Sequence, residues 1–350
     1  MTELGALDSL IAIDVGGGTQ DILVYLPNEA IENCPQMVMP SPTRVVAKKI
    51  AQATSQRKPV FLFGETMGGG VCTRAVKQHI AAGLSVYATP TAALTFNDDI
   101  KAVERMGVVM TEEAPADAVS IRMGDIDTRA IGTCLEQFEV AAPQRWAVAV
   151  QDHGYSPGRS NRLARFRWYR EYIESGGSLE QLAFLQPPAF FTRMLAVKRT
   201  LPDALVMDTG TAAILGALVD PEVGRRQSEG LLIVNAGNFH MMCALILAER
   251  MVGLLEHHTG MLDSEKAARL IERFKRGDVS NEEVLEDGGH GCHVSAEFLG
   301  SSKFDFTAVT GPHREILGKT GAHMAIPYGD MMLSGCFGLV EAARKKRIVG

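Results

Sequence analysis

The chain has 350 residues, 46% of them hydrophobic, and a formal net charge of −6 with acidic and basic residues mixed along its length. That length predicts two domains with two sizeable cores, and that charge gives no general attraction to nucleic acid or to an anionic membrane. The six cysteines stand far apart, with no CxxC or CxxxCxxC among them. This argues against a zinc ribbon or an iron–sulfur loop and fits reduced thiols in a cytosol.

Glu3 and Asp8 precede the first strand with no Lys or Arg between them, unlike a signal peptide. The most apolar later stretch, 239–255, is broken by Glu249 and Arg250 and is too short to span a bilayer. The expectation is a cytoplasmic protein. The first element is the run 11–25, IAIDVGGGTQDILVY, in which an apolar strand reaches Asp14, makes a three-glycine turn and returns as a second strand. Glycines let backbone N–H groups approach an anion and supply any φ > 0 the turn needs. Asp14 at the strand end is placed to hold a hydrated Mg²⁺ against that anion. A dinucleotide fingerprint would place its last glycine at position 21 and open a helix; here Asp21 and strand residues 22–26 follow. Taken alone, the run also reads as a glycine-rich hairpin with no ligand.

Strand and helix then alternate, which predicts an α/β fold. Residues 43–55 read as helix, 60–63 as strand, 85–88 as strand and 92–106 as mostly helix. The loop 64–70 leads through Gly68, Gly69 and Gly70 into a helix ending at Ala82. It reads either as an acceptor-binding loop at a helix N-terminus or as tight strand–helix packing. A strand at 146–150 ends in Gln151-Asp152-His153-Gly154, where Asp152 and His153 are candidates for substrate contact or water positioning. Residues 159–173 and 189–199 read as helices. Arg159, Arg162, Arg165 and Arg167 either meet an anionic substrate or form a solvated helix face. In 263–275 the apolar Ala267, Leu270, Ile271 and Phe274 recur at helical spacing, and Ser178, Ser264 and Ser280 stand at N-cap positions. Gly318-Lys319-Thr320 looks like the end of a P-loop, but Gly311 lies too far upstream, which leaves a surface turn. His257, His258, Asp287, His290, Cys292 and His293 crowd two loops. They suit a transition metal but match no zinc spacing, and a tight glycine loop is the other reading.

Four more segments follow the first hairpin in a fixed order. VMDTGTAAILG (206–216) is a strand, polar turn and small-residue helix, and LLIVNAGNFHM (231–241) is a second strand-turn-strand. FTAVTGP (306–312) runs into a Gly-Pro turn, and GDMMLSGCFGLVEAA (329–343) is a small-residue helix. The set resembles the phosphate 1, connect 1, phosphate 2, adenosine and connect 2 segments of the superfamily of actin, sugar kinases and heat-shock-type chaperone ATPases. The resemblance implies an α/β fold of two ribonuclease-H-like lobes around a nucleotide cleft. The first lobe would span 1–205 and the second 206–330, with a C-terminal helix in 331–350 packing back toward the first. It also implies Mg·ATP as ligand, with Asp14 beside the metal. Gly16, Gly17, Gly18, Thr19 and Gln20 would grip phosphates from one side, and Asn235, Ala236, Gly237 and Asn238 from the other. Thr310, Gly311 and Pro312 would underlie adenosine, and Gly335 belongs to the closing helix.

In sugar kinases resembling this layout an Asp-Thr pair takes the acceptor proton. Asp208-Thr209 stands in that place, so Asp208 reads as general base or as helix cap, with Asp152 the next carboxylate. Asn235 stands where the actin and chaperone types usually carry an acid, which weakens the expectation of fast hydrolysis more than that of nucleotide binding. The chain resembles more closely an archaeal and bacterial family labelled as a pyruvate formate-lyase activating enzyme, through 14–25, 150–154, Glu256-His257-His258 and 287–291. That label implies radical chemistry on S-adenosylmethionine, whose three closely spaced cysteines this sequence lacks. Three functions remain. They are phosphoryl transfer to a small metabolite, an ATPase switch or activator acting on a partner enzyme, and non-catalytic nucleotide binding.

Overall fold

The computed structural model describes residues 8–158, 160–300 and 303–350. Strand β1 (Leu10–Val15) is apolar apart from Asp14 and buried throughout, as a strand covered on both sides must be. It turns at 16–19 into β2 (Thr19–Tyr25), which pairs antiparallel with β3 (Gln36–Pro40). Here the chain leaves the sheet and builds a separate unit of four parallel strands. These are β4 (Val60–Gly64), β5 (Val86–Ala88), β6 (Val108–Met110) and β7 (Val119–Met123), in the order β6-β5-β4-β7. Ile50, Leu62, Val76 and Val86 belong to a core of its own. The chain returns as β8 (Arg145–Val150), parallel to β1, and completes the sheet with β9 (Ala183–Phe184) and β10 (Leu205–Met207).

The second half repeats this plan. Strands β11 (Leu231–Ala236), β12 (His240–Leu247) and β13 (Arg250–His258) form an antiparallel meander, with β14 (Gly291–Val294) outside β13. Strands β15 (Thr307–Thr310) and β16 (His323–Met324) lie parallel beside β11. The order β13-β12-β11-β15-β16 matches β3-β2-β1-β8-β10 strand for strand and direction for direction. Two ribonuclease-H-like lobes of the actin-like ATPase fold result. The four-stranded unit inside the first lobe is the part that alternation of strand and helix did not separate.

The helix after the fifth strand of each lobe, Thr209–Ala217 and Ser334–Lys345, is rich in small residues. The two backbones nearly touch. A Cβ on Gly216 would lie 1.7 Å from the Ser334 carbonyl oxygen, and one on Gly338 would lie 1.9 Å from that of Ala212. The Ser334–Lys345 helix also rests on the first sheet, where Cys336 Sγ approaches the carbonyls of Ala12 and Asp21.

Local differences from the expected elements have local causes. The helix expected over 92–106 splits into Pro90–Ala93 and Ile100–Arg105, each started by its own side-chain cap, Thr89 and Asp99. The basic helix spans Asn161–Glu174, and that expected over 189–199 spans Thr192–Thr200. Asp263 rather than Ser264 caps Ser264–Lys275, accepting from the Lys266 N–H, while Ser280 caps as expected. Ser178 precedes a short 3₁₀ turn and makes no side-chain cap bond. Gly318, Lys319 and Thr320 lie exposed in a turn after Leu317. Among the described residues no helix is long and apolar enough to cross a membrane.

Candidate functional site

Equivalent hairpins deliver equivalent turns. Gly16 N–H donates to the Thr19 carbonyl, and Gly237 N–H donates to the His240 carbonyl, both at 2.9 Å. The turns meet across the interlobe cleft. A Cβ on Gly17 would stand 2.2 Å from the Phe239 ring, and one on Gly18 would stand 2.6 Å from the Asn238 amide nitrogen. None of Gly16, Gly17 and Gly18 has a positive φ, so close approach, not backbone handedness, is what requires glycine here.

A chamber opens at the turns. Asp14, Gly16, Gly17, Thr19, Asn235, Gly237, Asn238, Thr310, Gly311, Pro312 and Gly335 all line it. Three expected residues do not. Gly18 packs on Asn238, and Gln20 turns outward to donate to the Pro40 carbonyl at 3.2 Å. Ala236 is wholly buried in β11, and its carbonyl is what Gly311 (φ +94°) approaches so closely that a Cβ would lie 2.6 Å from it.

Asp14 and Asp21 sit directly opposite each other in the β1–β2 register, both buried. Asp14 accepts from the Thr209 hydroxyl, and Asp21 Oδ1 has no partner. A Cβ on Gly335 would strike Asp14 Oδ2 at 2.0 Å. Burial above all raises the Asp14 carboxyl to about 7 and the Asp21 carboxyl to about 8. Two desolvated, under-bonded carboxyls beside a glycine turn fit a hard divalent cation, which favours oxygen ligands and their ionised form.

Carboxyls protonated in the fold but ionised in the unfolded chain stabilise the fold in acid, and that stability is lost as pH rises through their folded values. Buried neutral histidines slope the other way, but only below about 6.5, where they titrate in the unfolded chain. The protein free of divalent ions is therefore expected to melt progressively lower from about pH 6.5 to 8. Mg²⁺ should flatten that decline and release protons on binding. Melts at pH 6.5, 7.2 and 8 with and without Mg²⁺ check it. A melting temperature independent of pH over that interval, unchanged by Asp21→Asn, would contradict it.

A second chamber adjoins the first, and both are lined by Gly16, Gly17, Gln151, Thr209, Phe239 and His240. The loop 64–70 contributes Thr66 to Gly70 to its wall, with Gly68 N–H donating to Asp125. Asp125 in turn is forked by Arg193, at 2.6 Å from Nε and 2.8 Å from Nη2.

The two candidate catalytic carboxylates are engaged. Asp208 lines the first chamber, yet Arg165 donates to both its oxygens at 2.8 and 3.1 Å, and the Gly210 N–H adds a third bond at 3.0 Å. This geometry makes it an ion-paired helix cap rather than a free proton acceptor. Asp152 borders the second chamber and accepts from the Gly154 and Met194 N–H groups at 2.9 Å each. Burial raises its carboxyl to about 6.

Arg165 corrects the expectation of a substrate-facing or solvated basic face. Its side chain is 1% exposed and shared between Asp208 and Glu256. Burial opposes the Glu256 charge, but Arg165 and the nearby histidines hold its carboxyl well below the ordinary range. Arg162 donates across the lobes to the Gly288 and Gly289 carbonyls at 2.9 Å, and Arg167 is exposed. Arg159 lies outside the described residues.

The histidines sort differently from their sequence clusters. His257 pairs with Asp287 at 3.1 Å and His293 with Glu174 at 2.7 Å. Burial pushes the Cys292 thiol up to about 12. His290 instead turns into the cleft toward His240 and His153, with ring centroids 4.6 and 5.1 Å away. His258 stands beside this group, 4.8 Å from the His290 ring. Burial lowers His240 to about 4 and His290 to about 3, so both rings are neutral near pH 7.

Residues 67–316 match the model of the family described as "Putative pyruvate format-lyase activating enzyme (DUF1786)". No curated protein matches the sequence. Among solved structures, a Bacteroides thetaiotaomicron protein with actin-like ATPase fold and unknown function is similar at 5% identity and TM-score 0.40, over 96% of this chain and 98% of that one. A Listeria monocytogenes protein titled a putative N-acetylmannosamine kinase is similar at 9% identity and TM-score 0.35, over 97% and 99%. The apo form of the pSK41 ParM protein is similar at 11% identity and TM-score 0.36, over 97% and 98%. The duplicated strand order within this chain is what carries the fold assignment.

Proposed function

We propose that this chain, which belongs to the family whose model matches residues 67–316, binds Mg·ATP between its lobes and transfers the terminal phosphoryl group to a small polar acceptor. The observation that carries this reading is the pair of equivalent glycine turns facing one chamber, with Asp14 and the part-unbonded Asp21 beside them. Phosphoryl transfer asks a protein mainly to clamp phosphates, hold a metal and orient a nucleophile. In this reading Gly16, Gly17, Gly237 and Asn238 offer close backbone to the phosphates, and Asp14 and Asp21 hold the hydrated cation that neutralises them. Gly311 and Pro312 leave bare backbone for the adenosine. The second chamber, with Asp98, Asp125, Asn161 and Arg193 in its wall, suits a small polar acceptor. Radical chemistry, the sense of the family's label, finds no three closely spaced cysteines here.

One observation favours a second reading, an ATPase switch or activator acting on a partner enzyme. The carboxylate in the position of a kinase base, Asp208, is already consumed by Arg165 and its helix. Turnover stimulated by metabolite mixtures supports the kinase, and turnover stimulated only by a protein fraction supports the switch.

Calorimetry with Mg·ATP and a non-hydrolysable analogue tests the shared premise. Asp14→Asn keeps the Thr209 hydrogen bond but removes the charge facing the metal. It is expected to weaken Mg·ATP binding at least tenfold, about 1.4 kcal/mol. Equal affinities for wild type and variant would remove Asp14 from the site.

A further inference from the structure

The nucleotide reading leaves one constellation unused. His153 leaves the end of β8 in the first lobe, while His240 opens β12 and His290 precedes β14 in the second. The three are distant in sequence and fall on three different segments, yet their ligand-capable atoms all lie within 4.8 Å of one another. We propose that His153, His240 and His290 form a transition-metal site that joins the two lobes, with Zn²⁺ or a similar borderline divalent cation as its ligand.

Three features beyond proximity support this. His290 is buried, and its Nδ1 has no hydrogen-bond partner, a cost that a buried ring nitrogen does not carry without compensation. Glu256 stands beside that open nitrogen, its Oε1 3.8 Å from Nδ1, and is itself fixed by Gln151 at 2.9 Å and Arg165 at 2.8 Å. An ionised carboxylate this close to an open ring nitrogen favours a cation there. The charge balance also favours a cation. Arg165 brings one positive charge against the two negative charges of Asp208 and Glu256, so the floor beneath the rings is net negative.

Donor chemistry sets the class of ion. Three neutral imidazoles suit Zn²⁺, Co²⁺ or Fe²⁺ and not Mg²⁺ or Ca²⁺, which take oxygen ligands. With Zn–N bonds of about 2.1 Å, tetrahedral ligand nitrogens stand about 3.4 Å apart. Side-chain rotation through about an ångström draws the rings onto an ion. Three protein ligands leave a fourth position, and since His240 lines both chambers, that position faces the passage between them. His257, Cys292 and His293 are not ligands, because His257 and His293 are held by carboxylates and Cys292 packs into the hydrophobic core of the second lobe.

The test needs no nucleotide, so its outcome is separate from that of the Mg·ATP reading. Purified full-length protein, stripped with chelator, is titrated with Co²⁺ and Zn²⁺ in Mg²⁺-free buffer at pH 7.5. The expected results are one ion per chain, a visible Co²⁺ absorption of tetrahedral intensity displaced by Zn²⁺, and a higher melting temperature on loading. His153→Ala and His290→Ala should each weaken binding by more than about a hundredfold, beyond what an outer-shell partner supplies. His293→Ala should leave it unchanged. Circular dichroism keeps the test interpretable: a folded His153→Ala variant that still binds one Co²⁺ with wild-type affinity overturns the site. So does a wild-type protein that binds no ion with a dissociation constant below about 0.1 mM, or one that loses it on His293→Ala alone.

Discussion

Replacing Arg165 with Met is expected to lower stability by about 3–5 kcal/mol, the usual result of stripping one partner from a buried ion cluster. Its guanidinium holds Asp208 through two hydrogen bonds and Glu256 through a third at 2.8 Å, with all three side chains nearly or fully buried. Methionine fills much of the volume but leaves two carboxylates facing each other in a low-dielectric interior. Each must then shed its charge or admit water. The measurement is the shift of the urea midpoint, and the diagnostic step is a second substitution. Glu256→Gln added to Arg165→Met should recover part of the loss, because one of the two stranded charges is gone. Arg165→Lys should fall between, since an ammonium supplies charge without the fork. A single-variant loss under about 1 kcal/mol would show that the cluster is hydrated rather than buried.

Gly216→Ala and Gly338→Ala are expected to cost at least about 1–3 kcal/mol each, the range for forcing an extra methyl into a filled core. The obstacle is backbone in both directions. The new Cβ would meet the Ser334 carbonyl from one side and the Ala212 carbonyl from the other, so no rotamer change relieves it. The helices must separate. Gly335 lies one position from Ser334 and presses against Asp14, so separation also displaces the proposed metal ligand. Both variants should therefore lose Mg·ATP affinity along with stability, as read by calorimetry and thermal melts. Gly132→Ala serves as the control. That glycine lies within the helix Thr128–Gln137 with open space where its Cβ would point, and alanine there should stabilise by a few tenths to about 1 kcal/mol. Destabilisation of equal size at all three sites would refute the crossing argument.

Much of the scaffold was legible because local pattern dictates it. The apolar runs flanking each glycine turn read as buried strands, and their repetition in one chain hints at a duplicated half. The Asp14–Asp21 pair was also readable in principle. With a turn over 16–19, residues 14 and 21 are opposed in the hairpin register. Arg165 was the larger miss. It falls on the same helical stripe as Tyr169, Tyr172 and Ile173, all buried, so its position among apolar neighbours was the signal. Charge alone suggested solvent. The histidine grouping was not legible at all, since closeness in sequence joined His257 and His293 to His290, whereas the fold brings in His153 and His240 from other segments.

The four-stranded unit between β3 and β8 has an implication for how such a protein diversifies. It carries its own hydrophobic core, apart from those of the two lobes, yet its loops supply Thr66, Gly68, Thr95 and Asp98 to the second chamber. The turns around the first chamber belong to the duplicated sheets instead. Part of the proposed acceptor wall thus stands on a separately stabilised piece of chain, while Asn161, Arg193 and the rest of it stand on the lobes. Under the proposed function, substitutions within residues 42–125 can reshape that share of the wall while the glycine turns that would hold the nucleotide are inherited intact.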